Sequence, residues 1–505
     1  MADRHHGYDV SVAYPSYFIR EMAPNWLDFC IGAQGFEAPR REAAYRYLDL
    51  GCGQGFHLCI LAAANPDAQF VGIDFDAAYI AHGKELASTG GLGNVSFVQA
   101  DFLDLADHWP ADLGAFDYIA LQGILSWVSP QLRAAAFQCV GGASKPGTVA
   151  SFGYNTLPGW TGAMAFQHIA SEFSANGDAG EALGRAIGMF RRLRDVNAPF
   201  FEQMPRFKKQ LDVFSSQPGG YLAHEFLPEY WTPLWHSAIA RELRKIDFTY
   251  VGSAAVAEAL LPDALAPELR AVILDEPDDA VRQDVQDIVI TQQFRRDIFC
   301  RGPRRAESGT LPAETPIYLL SAPPPDAPVH FKTTFGALTV DYGSVADILE
   351  SLAGGPRTVA ELMALKNPAR QSTRAVLLSM LEAQMLGVGA TQPTSGEVAR
   401  RFNATVARAA AGGMTYRNLA SPVLGTGVSA SEGDLLMLDT SLSAGGESDP
   451  AELAKGVAQR LRKLERQLQF RGAAIADDQL ESQVETLARA FIAQKLPHWR
   501  ALGIL

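Results

Sequence analysis

Between residues 46 and 152 two hydrophobic periodicities alternate. Apolar runs at 47–50, 69–73, 95–99, 116–121 and 148–152 have the length of strands, and the stretches 56–64 and 77–87 carry apolar residues at helical spacing. Strands alternating with helices predict an α/β, doubly wound parallel sheet whose ligands lie at the carboxyl ends of the strands. Ahead of Tyr45, the segment Tyr14-Pro15-Ser16-Tyr17-Phe18 and a helix through Trp26 and Phe29 predict a cap.

After Trp160 the pattern becomes helical. Residues 161–214 are rich in Ala, Phe and Arg and break at Asn197-Ala198-Pro199 and Gln217-Pro218-Gly219-Gly220. A mixed stretch runs on to Gly302, and the Pro-rich segment 322–328 has the composition of a linker. Helices at 344–353, 358–365 and 373–383 lead into a strand at 385–388, the layout of a winged-helix-like unit. A Gly/Ser-rich region near 441–448 precedes amphipathic helices at 450–470 and 477–495. The expected partition is a sheet domain with its cap at 1–160, a helical region at 161–321, a winged-helix-like domain at 329–395 and a mixed α+β domain at 396–505.

Composition narrows the partners. The 43 Lys+Arg against 56 Asp+Glu leave a net charge of −13, which argues against wholesale binding to a phosphate backbone, so nucleic acid is not an expected partner. The basic clusters Arg191-Arg192-Leu193-Arg194 and Arg206-Phe207-Lys208-Lys209 read as solvated helix faces. Five cysteines form no C-x-x-C pair and suit reduced, buried thiols. The start lacks a signal-peptide layout and no apolar run approaches membrane-spanning length, so a cytoplasmic protein without membrane insertion is expected.

The densest chemistry follows the first strand. Tyr47-Leu48-Asp49-Leu50-Gly51-Cys52-Gly53-Gln54-Gly55 ends a hydrophobic run in an acid and a glycine turn, and Phe70-Val71-Gly72-Ile73-Asp74 ends the second run in another acid. Asp74 at that place can accept both hydroxyls of a ribose, with Phe75 beside it. The third run ends at Asp101-Phe102, suited to an adenine amino group and its ring face, and the fourth ends at Gln122-Gly123. The G-x-G-x-G spacing differs from the dinucleotide G-x-G-x-x-G. The cofactor expected is S-adenosyl-L-methionine, held by Asp49, Gly51, Cys52, Gly53, Gly55, Asp74, Phe75, Asp101, Phe102, Gln122 and Gly123.

This four-part series resembles class I S-adenosylmethionine-dependent methyltransferases over about residues 45–155. A narrower resemblance rests on Gln122-Gly123-Ile124-Leu125-Ser126-Trp127-Val128, Gly153-Tyr154-Asn155-Thr156-Leu157-Pro158-Gly159-Trp160 and Tyr221-Leu222-Ala223-His224-Glu225. Tyr8, Tyr14-Pro15 and Leu419-Ala420-Ser421-Pro422-Val423 fit it too. These segments resemble bacterial methyltransferases that carry a methyltransferase regulatory domain, a group that includes rickettsial protein-lysine methyltransferases. The resemblance implies a homodimer built through the helical region, a winged-helix-like middle domain and a C-terminal domain. His57 stands where it implies Asn.

Methyl transfer from a sulfonium is an in-line displacement that needs an unprotonated nucleophile and a dry cavity but no metal. A lysine amine must lose its proton first, and burial among aromatic walls favours that. Tyr14, Trp127 and Tyr154 are the expected walls of the substrate channel, with a tyrosine hydroxyl orienting the amine. His224-Glu225 reads either as a polar pair of the site or as a bridge between helices. No Asn/Asp-Pro-Pro-Tyr/Phe follows the fourth strand, and H-E-x-x-H, G-x-S-x-G and G-x-x-x-x-G-K-[ST] are absent. The expected function is protein-lysine N-methylation. Alternatives are methylation of a small metabolite or RNA, and a non-catalytic S-adenosylmethionine sensor.

Overall fold

The computed structural model describes all residues except 1–3, 6–7, 10–15, 40–43, 176–177, 215–216, 218, 307–310, 326, 366–371, 446–448, 464–468, 471–472 and 475–478. Its centre is a seven-stranded sheet. The strands are β1 (Arg46–Leu50), β2 (Gln69–Asp74), β3 (Val95–Gln99), β4 (Phe116–Gln122), β5 (Ser144–Asn155), β6 (Phe248–Ser253) and β7 (Phe294–Arg301). They lie in the order β3-β2-β1-β4-β5-β7-β6. Neighbours from β3 to β5 are parallel, as Leu48 against Val71 and Ile119 shows, and β7 runs antiparallel to both β5 and β6. Helices cover both faces, so Tyr47, Leu48 and Leu50 are all buried, and Asp49 among them is buried too.

The cap helix α1 (Pro24–Ala33) precedes the sheet, and the first five strands and the helices α2 (Phe56–Ala64) and α3 (Ala77–Gly90) lie where the periodicity puts them. The sheet does not end at residue 160, however: β6 and β7 come from within the stretch expected to be a separate helical region. Between β5 and β6, helices at Thr161–Ser174, Ala179–Asp195, Phe200–Gln203, Pro205–Phe214 and Gly219–Phe226 enclose a core of their own. Phe166, Phe190, Phe207, Phe214 and Phe226 meet in it as a web of edge-to-face and tilted rings.

Beyond the sheet, β8 (Pro316–Leu319) pairs with Arg357–Thr358 and with Leu386–Val388. Helices at Gly343–Ala353, Val359–Met363 and Thr373–Glu382 accompany that three-stranded sheet. Because β8 precedes residues 322–328, the Pro-rich segment is a loop inside this unit rather than a spacer before it.

The last part of the chain packs on α2 and α3. The helix Glu397–Ala411 sends Arg401 to the carbonyls of Gly90 and Gly91, and Gly427 approaches Phe18 and Ile60 so closely that a Cβ would lie 2.8 and 2.9 Å from them. All five cysteines are buried and free. Among the described residues no helix is long and apolar enough to cross a membrane.

Candidate active site

The carboxyl ends of the parallel strands gather most of the residues singled out in the sequence. After β1 the chain turns sharply, and the N–H groups of Gly51 and Cys52 both donate to the carbonyl of Ile73, at 2.7 and 3.0 Å. That fastens the turn to β2. The Gly53 N–H then donates to Asp74 Oδ2 at 2.9 Å, while Asp74 Oδ1 accepts from the N–H of Asp76 at 3.0 Å. Each Asp74 oxygen keeps a further lone pair for a ribose hydroxyl.

The glycines of the turn divide their work. Gly51, at φ +80°, would place a Cβ 1.9 Å from Ile124 Cδ1, so it admits the segment after β4. Gly53, at φ +53°, has open space where its Cβ would stand. Of the three glycines of the turn, Gly53 is the one with open space beside its backbone. Gly55 caps α2 against Phe97.

Asp49 at the end of β1 is buried, and burial together with the Asp74 carboxylate pushes it up to about 7. Burial also raises Asp74, against the pull of the Asp76 and Gly53 N–H groups. Burial pushes the Cys52 thiol up as well, which makes it a lining group and no nucleophile. Gly123 at φ +69° has open space beside it, and Gln122 sits so close to Gly153 that any side chain there would overlap its amide.

Asp101 caps the helix Phe102–Asp107 by accepting from the Leu103 N–H at 2.9 Å. Phe102 is buried in the core cluster that holds Leu48 and Ile73. Phe75 follows Asp74, its carbonyl accepting from the Gln99 side chain at 3.2 Å.

A second polar group stands farther along the same edge. Asn155, the last residue of β5, donates from Nδ2 to Glu225 Oε1 at 2.9 Å, and its N–H donates to Ser126 Oγ at 2.9 Å. Tyr221 donates its hydroxyl to Glu225 Oε2 at 3.4 Å, and Trp127 Nε1 donates to the Glu225 carbonyl at 3.2 Å. Burial pushes Glu225 up to about 7 against those bonds from Asn155 and Tyr221. Of the expected channel walls, Trp127 therefore belongs to this group.

Tyr154 does not. Its ring is fully buried, and its hydroxyl donates to Asp297 Oδ2 at 2.5 Å. The same carboxylate binds His236 Nδ1 at 2.8 Å and Arg295 Nε at 2.8 Å, and Arg295 also pairs with Asp287 at 2.5 Å. Burial favours the neutral acid of Asp297, but Arg295 and His236 outweigh it and hold its pKa at about 2. Tyr154 is thus part of an ion-pair network beneath β5 and β7. Tyr14, the remaining candidate, lies outside the described residues. Glu225 was weighed with His224 either as a polar pair of the site or as a bridge between helices, whereas Asn155 and Tyr221 were not singled out as site residues. The signal was there in Tyr221-x-x-x-Glu225, which puts both side chains on one helix face.

His57 accounts for its unusual place. Its Nδ1 accepts from the Ile19 N–H at 3.3 Å and its ring stacks on Phe18 at 4.9 Å, tying the cap to the helix behind the glycine turn.

The comparisons with known proteins agree with this geometry. A methyltransferase domain model matches residues 41–145, and the model of a predicted methyltransferase regulatory domain matches residues 218–301. The chain carries a methyltransferase domain with the fold of class I S-adenosylmethionine-dependent methyltransferases. PKMT2 from Rickettsia typhi in complex with AdoHcy superimposes on the methyltransferase with a TM-score of 0.68 at 18% identity, over 97% of this chain and 99% of that one. An uncharacterized protein of Synechocystis is 28% identical over 451 residues, covering 86% of this chain and 87% of its own. An uncharacterized protein of Rickettsia prowazekii is 28% identical over 306 residues, 59% of this chain and 53% of its own. A tRNA (guanine-N(7)-)-methyltransferase of Chloroflexus aggregans is 48% identical over only 86 residues, 17% of this chain and 36% of its own.

The donor set of the methyltransferase fits that cofactor. Asp49 and Asp74 are two buried carboxylates on adjacent strands that repel one another, and a ligand bearing an ammonium and a sulfonium relieves the repulsion. Gly53 and Gly123 leave the backbone approach open, and Asp74 suits the ribose. Bound there, S-adenosylmethionine supplies an electrophilic methyl group.

Proposed function

We propose that this methyltransferase acts on lysine side chains of proteins. The observation that carries the reading is the group of Glu225, Asn155, Tyr221 and Trp127 beyond the cofactor turn. A lysine arrives as an ammonium with a pKa near about 10.4 and cannot attack until it loses a proton. Glu225, with its pKa near 7, is half ionised at neutral pH and can hold that amine and take its proton. Trp127 and Tyr221 supply aromatic faces that attract a cation and depress an amine pKa by excluding water. The shared fold with PKMT2 over nearly the whole chain supports the same reading. The acidic balance disfavours RNA as acceptor.

The reading includes a homodimer formed through the helical insertion, which exposes Leu193, Val196 and Val213. Sedimentation should give twice the 54.5 kDa chain mass, and a monomer at all concentrations contradicts it.

The acceptor class is tested by incubating the full-length enzyme and methyl-labelled S-adenosylmethionine with a lysate, then separating protein, RNA and small molecules. Label in the protein fraction is expected. Label confined to RNA or small molecules, or no transfer at all, overturns the proposal.

A further inference from the structure

The ion pairs beneath β5 and β7 converge on one carboxylate. Asp297 Oδ2 accepts from the Tyr154 hydroxyl and from His236 Nδ1, and Oδ1 accepts from Arg295 Nε. Arg295 spends one terminal nitrogen on Asp287 and the other on Gln283 and Tyr250. Asp287, His236, Arg295 and Asp297 are at most 1% exposed. Stability does not account for charges so placed. Their desolvation offsets much of their attraction, and apolar side chains of the same volume often stabilise a core as well or better. What the network supplies is one fixed arrangement of the segments that carry it.

Those segments are the ones that hold Asn155. Tyr154 precedes it on β5. Arg295 and Asp297 lie on β7, where Phe294 is paired with Asn155 and Arg295 with Tyr154. His236 opens the helix His236–Arg244, and Leu234, two residues earlier, donates its N–H to the Asn155 carbonyl at 2.8 Å. The next residue repeats the pattern. Thr156 donates its N–H to the Gln293 carbonyl at 3.0 Å and its hydroxyl to the Leu234 carbonyl at 2.7 Å. Asp297 therefore draws β5, β7 and the segment after Leu234 together directly behind Asn155.

The Asn155 side chain turns the other way, to Glu225 on the helical insertion. Among the described residues the Glu225 carboxylate accepts from Asn155 and Tyr221, and Tyr221 lies on the same helix as Glu225. Asn155 is thus the bond that sets this carboxylate against the sheet.

We propose that Tyr154, His236 and Asp297 are positioning residues of the acceptor site. They fix the end of β5 so that Asn155 holds Glu225 in the orientation that receives the amine. The assignment rests on the role proposed above for Glu225. It has a consequence that packing alone does not. The bond from Asn155 favours the ionised carboxylate, so loosening it raises the pH at which Glu225 becomes a base.

The test follows the initial rate of methyl transfer from S-adenosylmethionine into lysate protein between about pH 6 and 9, using full-length wild type, Tyr154→Phe and Asp297→Asn. In both variants the rising limb is expected to move up by about half a pH unit or more, and kcat to fall about tenfold. Affinity for S-adenosylhomocysteine should not change. Ile119→Val, in the same core cluster, should lower the unfolding temperature and leave the limb in place. Should Asp297→Asn fail to fold, Tyr154→Phe keeps the ring and carries the test. Crystal structures of the wild type and Tyr154→Phe give a readout that needs no acceptor, and loss of the 2.9 Å bond between Asn155 and Glu225 is expected in the variant. Retention of that bond in Tyr154→Phe overturns the proposal, and so does a limb that stays in place. Absence of lysine methylation by the wild type contradicts the acceptor reading instead, and the crystal structures then decide the positioning claim.

Discussion

Asp49 and Asp74 end adjacent strands, and their proximity gives cofactor binding a pH dependence. Burial and Asp74 raise Asp49 to about 7, so it is largely protonated below that pH in the free protein. A cationic ligand binds the ionised form. Affinity for S-adenosylmethionine should therefore fall as pH drops through about 7, by at most about tenfold per unit, and Asp49→Asn should flatten the profile. Stability of the free protein runs the other way. A carboxyl raised above its unfolded value of 3.8 stabilises fully below that value and loses the contribution as pH rises through about 7. Calorimetry between about pH 6 and 8 checks the binding claim, and a flat wild-type profile contradicts it. Asp74→Ala removes the acceptor of the Gly53 and Asp76 N–H groups, and about 100-fold weaker binding is expected. At this scale Asp74 was legible because a terminal acid after a buried strand has few other uses. Tyr154 was misplaced for a physical reason. Successive strand residues face opposite sides, so Asn155 reaches Glu225 while Tyr154 turns to Asp297.

Among the elements, the first five strands were legible because each carries an apolar run and is followed by its own helix. Strands β6 and β7 were not. The helical insertion separates them from β5, and β7 carries Arg295 and Asp297, charges that mark a solvated segment unless their buried partners are known. The contact between the cap and α2 was equally hidden, because it rests on one imidazole. Burial lowers His57 from 6.5 to about 3, so it is neutral when folded. A depressed histidine contributes stability that is complete above 6.5 and is lost as pH falls towards 3. Thermal unfolding of His57→Asn should thus lose less between about pH 7 and 5 than the wild type, by up to about 1.4 kcal/mol per unit. Parallel slopes contradict this role.

The whole molecule places the last part of its chain against the cofactor turn. Tyr416 stacks on Phe56 at 4.3 Å, and its hydroxyl lies 2.9 Å from His82 Nε2. His82 Nδ1 lies 2.7 Å from the carbonyl of Gln54, which can only accept. Nδ1 therefore donates to that carbonyl, and Nε2 shares a second hydrogen bond with the Tyr416 hydroxyl. The C-terminal part of the chain thus reaches the glycine turn through the His82 imidazole. Tyr416→Phe keeps the stack and removes the hydrogen bond, so a stability loss of about 1 kcal/mol and weaker cofactor binding by a few-fold are expected. Unchanged affinity and unfolding midpoint contradict the link.

In the proposed reaction a lysine amine meets the methyl donor beside Glu225. The most direct measurement is amino-acid analysis of protein labelled by the wild type and by Glu225→Gln, with S-adenosylhomocysteine binding measured for both. Methylated lysine from the wild type is expected, falling about 100-fold or more in the variant while cofactor binding is retained. Label on another residue, or undiminished transfer by Glu225→Gln, contradicts the account.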